Sequence, residues 1–371
     1  MTTPARRLRS RLAIPVVTAA VLLSGCGVSL GDSGAEGGKD AGAAAPPLSE
    51  VEPLDDVRGW EGSVNAVAEE QVEPVVEQAE PQLPVTVTDA QGTKVTVTDA
   101  SRILPLDIYG TLSRTVFELG LGDQVVGREI ATQFDAAADL PLVTQNGHDL
   151  NAEAILELDP TVIITDTSLG PWDAILQMRD AGIPVVVVDS ERSLDTVSSL
   201  IEDVAEALGV PEQGAALAER TQAEVDAVTE QIADVAPSER GEKLRAVFLY
   251  VRGQSGVYYM FGEKSGADSL IDALGLYDVA GEIGWNGMKP ITDEGLVDAQ
   301  PDVVLMMTKG LDSVGGADGL LERLPALAQT PAGQNKRIVT MEDSQILGFG
   351  PAAATTLNSL AVALYAPQAL S

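Results

Sequence analysis

The chain has 371 residues, 45% of them hydrophobic, and sets 56 Asp and Glu against 23 Lys and Arg, a formal charge of −33 at pH 7. A surface this acidic excludes nucleic acid as a partner, because phosphate binding demands clustered cations. One cysteine excludes a disulfide framework, and one histidine excludes the usual zinc and manganese sites, which gather several ligands.

Residues 1–25 read as an export signal. Arg6, Arg7, Arg9 and Arg11 precede an apolar run from Leu12 to Leu23, which is shorter than the roughly 20 residues that span a bilayer. Cys26 follows Leu23-Ser24-Gly25, a pattern that resembles the lipobox of bacterial lipoproteins. Cleavage there makes Cys26 the lipidated, palmitate-bearing first residue and anchors the protein at the extracytoplasmic face of the plasma membrane. Residues 26–83 read as the lipidated cysteine and an acidic, largely flexible tether, small and polar to about residue 50 and punctuated by proline after it.

Order is expected from Val85. The β-branched runs Val85–Asp89 and Val95–Thr98, joined through Gln91-Gly92, predict a hairpin. Beyond residue 100, short apolar strands such as 162–164, 185–188, 246–250 and 303–306 alternate with amphipathic helices. That order predicts an α/β fold with two Rossmann-like lobes of mainly parallel sheet, residues 84–210 and 237–371. Between them, residues 211–236 read as one long linking helix, and the ligand cleft is expected between the lobes. An internal repeat supports two similar lobes: Glu153-Ala-Ile-Leu-Glu-Leu-Asp-Pro160 corresponds to Glu294-Gly-Leu-Val-Asp-Ala-Gln-Pro301. Each unit opens on a helix-capping residue, Asn151 or Thr292, and leads into a buried strand.

Enzyme motifs are missing. Gly253-Gln254-Ser255-Gly256 lacks the spacing of a nucleophile elbow, Gly262-Glu263-Lys264-Ser265 is not a phosphate loop, and no Gly-x-Gly-x-x-Gly follows a strand. Two residues remain of chemical interest. His148 stands in a loop just before a helix start, and Tyr250 and Arg252 share one face of a strand. An arginine beside a phenol favours the phenolate, and tyrosine and histidine are both axial ligands of haem iron. On the residues alone, His148 reads more readily as a solvated loop residue and Tyr250 as a core tyrosine.

The order of signal, tether, hairpin, lobe, long helix and second lobe resembles the substrate-binding lipoproteins of ABC importers. It is similar to the class joined by one rigid helix, which handles cobalamin, ferric siderophores and haem. His148 in the first half and Tyr250-Val251-Arg252 in the second resemble the haem-uptake branch of that class. The resemblance implies a non-enzymatic protein that takes ferric haem from other surface donors and delivers it to an ABC permease dimer with its ATPase. It further implies that His148 and Tyr250 ligate the iron from opposite sides, that Arg252 hydrogen-bonds the tyrosine, and that Glu153 and Glu294 dock on the permease. Met288, Met307, Trp285 and Tyr258 are expected as pocket walls, with Met306 and Tyr259 as further choices and Arg128, Lys289 and Thr308 as propionate partners. Alternatives are a ferric siderophore or cobalamin on the same scaffold, and a surface haem-capture protein that docks on no transporter.

Overall fold

The computed structural model describes residues 42–69 and 71–370, so the signal, Cys26 and the first part of the expected tether lie outside the described residues. Residues 41–371 form one compact unit.

Lobe 1 contains strands β2 (Val85–Thr88), β3 (Lys94–Val97), β4 (Ile103–Leu106), β5 (Thr144–Gln145), β6 (Asp149–Leu150), β7 (Val162–Thr165) and β8 (Val185–Val187). β4, β7 and β8 make a parallel sheet in that order, while β2–β3 and β5–β6 are antiparallel hairpins. All residues of β4, β7 and β8 are buried, as their uninterrupted apolar runs require for strands covered on both faces. Helices α1 (Thr111–Val116), α2 (Ala152–Glu157), α3 (Trp172–Asp180) and α4 (Val197–Ala207) cover them.

Helix α5 (Pro211–Val235) leads out of lobe 1 and, at about 1.5 Å per residue, runs for about 37 Å. Proline at its first position leaves no hydrogen bond unmade there. α5 packs on α4 and on the C-terminal helix Ala353–Tyr365.

Lobe 2 is a seven-stranded mixed sheet ordered β1-β14-β13-β9-β10-β12, with β11 also beside β9. Its strands are β1 (Val64–Asn65), β9 (Arg245–Arg252), β10 (Val257–Phe261), β11 (Tyr277–Asp278), β12 (Met288–Pro290), β13 (Val303–Met307) and β14 (Ile338–Met341). β1, β14, β13 and β9 run parallel, and β10 and β12 are antiparallel additions. Helices α6 (Ala267–Ala273), α7 (Val279–Glu282) and α8 (Asp293–Ala299) belong to this lobe. Alternation along β9 sends Ala246, Phe248 and Tyr250 to a central apolar cluster shared by both lobes. Val247, Leu249 and Val251 face an outer cluster of lobe 2.

Residues 42–83 depart from the expected tether. They lie along the body as a strap, with Leu48, Ala66, Ala68 and Ala79 buried. The strap begins on lobe 2 and the C-terminal helix: Leu54 N donates to Tyr365 O (2.7 Å), β1 pairs with β14, and Ala66 N donates to Thr340 O (2.7 Å). It ends on lobe 1, where Val75 N meets Glu118 O (2.8 Å), Ala79 N meets Gly120 O (3.0 Å) and Gln82 N meets Gly209 O (2.7 Å). Two glycines admit it. A Cβ at Gly120 (φ +82°) would stand 2.5 Å from Val76 O, and one at Gly209 (φ +71°) 2.8 Å from Gln82 O. The strap is held by main-chain bonds, by side chains of the body such as Asn358 and Arg220, and by small buried side chains rather than by an apolar stripe, so composition alone reads it as a tether.

Candidate functional site

His148 lies at the β5–β6 connection, after Asn146 (φ +49°) and Gly147 (φ +94°), two left-handed positions that turn the chain tightly. Its side chain is 45% exposed, and Nδ1 stands 3.3 Å from Glu129 Oε2. The Glu129 side chain is fully buried. The loop carrying it is tied to the same hairpin region through Arg128 N to Pro141 O and Val143 N to Arg128 O, both 2.9 Å. With Nδ1 engaged, Nε2 is the nitrogen left to a ligand.

Behind this loop, at the C-terminal ends of β4 and β7, sit two more buried carboxylates, Asp107 and Asp166. Arg192 Nη2 pairs with Asp166 Oδ2 at 2.6 Å, while Asp107 accepts from the amides of Thr111 (3.2 Å) and Leu112 (2.9 Å) at the start of α1. Burial, and next the charge of Asp166, push Asp107 up to about 7. Burial also raises the phenol of Tyr109, with Arg192 opposing.

On lobe 2, Tyr250 is half-buried near the end of β9, its ring stacked on Phe261 at 6.2 Å and 20°. The Arg252 guanidinium lies over that ring, 4.5 Å from the centroid. Asp343 Oδ2 holds Arg252 Nη2 at 2.6 Å, and the carbonyl of Val251 accepts from Nη1 at 2.9 Å. The expected contact of Arg252 with the Tyr250 hydroxyl is thus replaced by a cation–π contact with the ring face. Tyr109 of lobe 1 and Tyr250 both pack against the central apolar cluster. An interlobe hollow beside Tyr109 and Phe134 is lined by neither His148 nor Tyr250. It offers only about 60 Å³, short of the 300 Å³ or more of a small-molecule pocket.

Register corrects part of the expected wall. Tyr259 lies opposite Tyr250 and Tyr258 opposite Val251, so Tyr258 faces the outer core of lobe 2, away from Tyr250. Trp285 packs in the same outer cluster, its indole N–H on Met260 O at 2.9 Å. Lys289 pairs in register with Met260 and sits over Trp285, also on that far side. Met288 pairs with Phe261 and is 53% exposed on the Tyr250 face, and Met307 closes the same face beside Arg252. Met306 is buried in the outer cluster. The Thr308 hydroxyl bonds Asn65 Oδ1 of the strap (2.8 Å), and Arg128 Nη1 turns to Thr132 O (3.3 Å).

Glu153 and Glu294 are exposed in the first turns of α2 and α8. Asn151 caps one helix, accepting from the amides of Glu153 and Ala154, and Thr292 caps the other, accepting from that of Gly295. Glu129, Tyr109, Asp343 and Phe261 were not singled out by the sequence. No short-range spacing marks them, because the fold alone brings Glu129 to His148 and Asp343 to Arg252.

Among the described residues, no group of three or more His, Cys, Asp or Glu is arranged to hold a metal ion, and no helix is long and apolar enough to cross a membrane. A family model described as periplasmic binding protein matches residues 108–344. The chain belongs to the periplasmic binding protein family. It is similar to the crystal structure of a protein titled heme binding protein HmuT, 43% identical with a TM-score of 0.77, covering 84% of this chain and 99% of that one. Variants of HmuT with a tyrosine, an arginine or a histidine replaced by alanine match comparably. The apo form of the periplasmic heme-binding protein RhuT from Roseiflexus sp. RS-1 is 36% identical with a TM-score of 0.65, over 74% of this chain and all of that one. An uncharacterized ABC transporter substrate-binding lipoprotein of Bacillus subtilis, YvrC, is 24% identical over 286 residues, 76% of this chain and 86% of its own. Members of this family bind and deliver rather than catalyse, and the family supplies the substrate-binding component of ABC importers.

Proposed function

We propose that this protein binds ferric haem and delivers it to an ABC permease dimer with its ATPase, for iron uptake. The observation that carries this reading is the pair of ligand-ready groups on the two lobes. His148 keeps Nε2 free by engaging Nδ1, and Tyr250 presents a phenol under the Arg252 cation. Support comes from the likeness to HmuT, whose solved variants change the same three residue types. Haem supplies an iron with two axial positions, to be filled by a hard phenolate oxygen and an imidazole nitrogen. Arg252 stabilises developing charge on Tyr250, and Met288 and Met307 offer soft apolar contact beside it. The ligands belong to different lobes, so parting the lobes breaks one iron bond and leaves the cargo on a single ligand, from which it is released by ligand dissociation alone.

The finer assignments follow the same reading. Glu153 and Glu294 dock on basic residues of the permease, and a lipid on Cys26 holds the protein at the outer face of the plasma membrane. Titration of the purified protein with hemin, followed at the Soret band, tests the ligation. One saturable equivalent is expected, with the band altered in both His148→Ala and Tyr250→Ala. Saturable binding indifferent to both variants refutes the site. No binding at micromolar protein refutes haem and favours a ferric siderophore, which brings its own iron ligands.

A further inference from the structure

We propose that Glu129 is the positioning residue of this site: its buried carboxylate holds His148 as the Nδ1–H tautomer and aims Nε2 at the ligand. The proposal rests on the haem reading for what Nε2 meets, but its first claim concerns the imidazole alone. A fully buried carboxylate needs a reason, since taking a charge out of water is unfavourable unless it is paired and hydrogen-bonded. Glu129 is weakly provided for. Oε2 has His148 Nδ1 at 3.3 Å, while Oε1 is buried with no hydrogen-bond partner among the described residues. The nearby Arg128 guanidinium turns to Thr132 O instead, and Arg192 is committed to Asp166. Asp107 and Asp166 add two more carboxylates to the same region, so the surroundings offer Glu129 no cation of its own.

The asymmetry runs the other way for His148. Its ring stands at a loop tip, nearly half exposed, with Glu129 as its sole hydrogen-bond partner among the described residues. In water a neutral imidazole prefers the proton on Nε2, which would leave Nδ1, close to the main chain, as the lone-pair donor. A carboxylate accepting from Nδ1–H reverses that preference, fixes the ring plane and makes Nε2 the more basic ligand atom, the arrangement that carboxylates impose on metal-bound histidines generally. The sequence separates Glu129 from His148 by 19 positions, and only the packing of the 128–132 loop against the β5–β6 region makes them neighbours.

With a single histidine in the chain, the tautomer can be read directly. Nitrogen-15 correlation spectra of the untagged apo protein, in mildly alkaline buffer, should show the Nδ1–H form in the wild type. Glu129→Gln keeps a carbonyl acceptor and should retain that form, whereas Glu129→Ala should release the ring to the Nε2–H form. A wild-type ring in the Nε2–H form, or a tautomer unchanged in Glu129→Ala, overturns the proposal whatever the chain binds. Hemin titration then tests the consequence. Glu129→Ala should weaken binding about 10–100-fold, the usual range for such outer partners, and move the Soret band toward that of His148→Ala. In a His148→Ala background the same change should have no further effect. A loss that persists there makes Glu129 structural only and overturns the positioning role. A tautomer that follows Glu129, with a hemin spectrum indifferent to His148→Ala, upholds its hold on the ring and removes His148 from the iron ligands, which overturns the aim at the ligand.

Discussion

Asp107 carries the most perturbed carboxyl near the site, and its two amide partners at the start of α1 do not offset its desolvation or the charge of Asp166. Its value in the folded protein, about 7, lies above the 3.8 of an unperturbed aspartate. The folded state therefore holds this proton more tightly than the unfolded chain does. The resulting stability is complete below about pH 4, is lost as pH rises through 7, and stays lost above. Asp107→Asn removes this dependence while keeping one acceptor for the α1 amides. Its melting temperature relative to the wild type should climb between pH 4 and pH 7 and level off beyond; a difference that stays constant across that range refutes the perturbed carboxyl. At this scale the sequence was legible for single side chains and illegible for pairs. His148, Tyr250 and Arg252 announce their chemistry by type, but Glu129 and Asp343 become their partners only through folding. Tyr258 and Tyr259 are indistinguishable until the β9–β10 register places Tyr259 opposite Tyr250.

The short helices α2 and α8 are where the internal repeat becomes visible in three dimensions. Both begin on a side-chain cap, and both expose an acid in the first turn and an apolar residue three positions on: Glu153 with Leu156 at 45%, Glu294 with Val297 at 43%. Acids at a helix start are also stabilised by the end dipole, so exposure alone does not separate docking from helix chemistry. Reversing both acids, Glu153→Arg with Glu294→Arg, does. Each reversal should weaken its helix by about 0.3–1 kcal/mol, leave hemin affinity unchanged and abolish haem-dependent growth through the transporter. Uptake that survives the double reversal rules out these acids as the docking contact. Strand and helix types in these units were legible from capping residues and apolar runs, since each is fixed by neighbours within a turn or a strand.

Across the whole molecule, the strap is the feature that sequence reasoning missed, for a physical reason. Its main chain is held by main-chain bonds and by side chains of the body such as Asn358 and Arg220, and its buried side chains are mostly alanines, which leave no hydrophobic period to read. Gly120 tests it. Alanine there would enforce an unfavourable φ and press a methyl against Val76 O, which should cost about 2–3 kcal/mol in unfolding free energy. Cleavage within residues 71–83 by a protease should accelerate as well. A loss under about 0.5 kcal/mol with unchanged cleavage would show that the strap does not bear on lobe 1.

The strap also sets how far the body can travel. If the chain were free to residue 83, a lipid on Cys26 would allow an excursion of about 190 Å at full extension. With the body beginning at residue 42, the same anchor allows at most about 55 Å. That is little more than the thickness of a bilayer with its headgroups. Under the proposed lipid on Cys26, a carrier held this near the bilayer would meet its permease by lateral diffusion in a thin layer, where effective concentration, rather than intrinsic affinity for the transporter, would govern how often cargo changes hands.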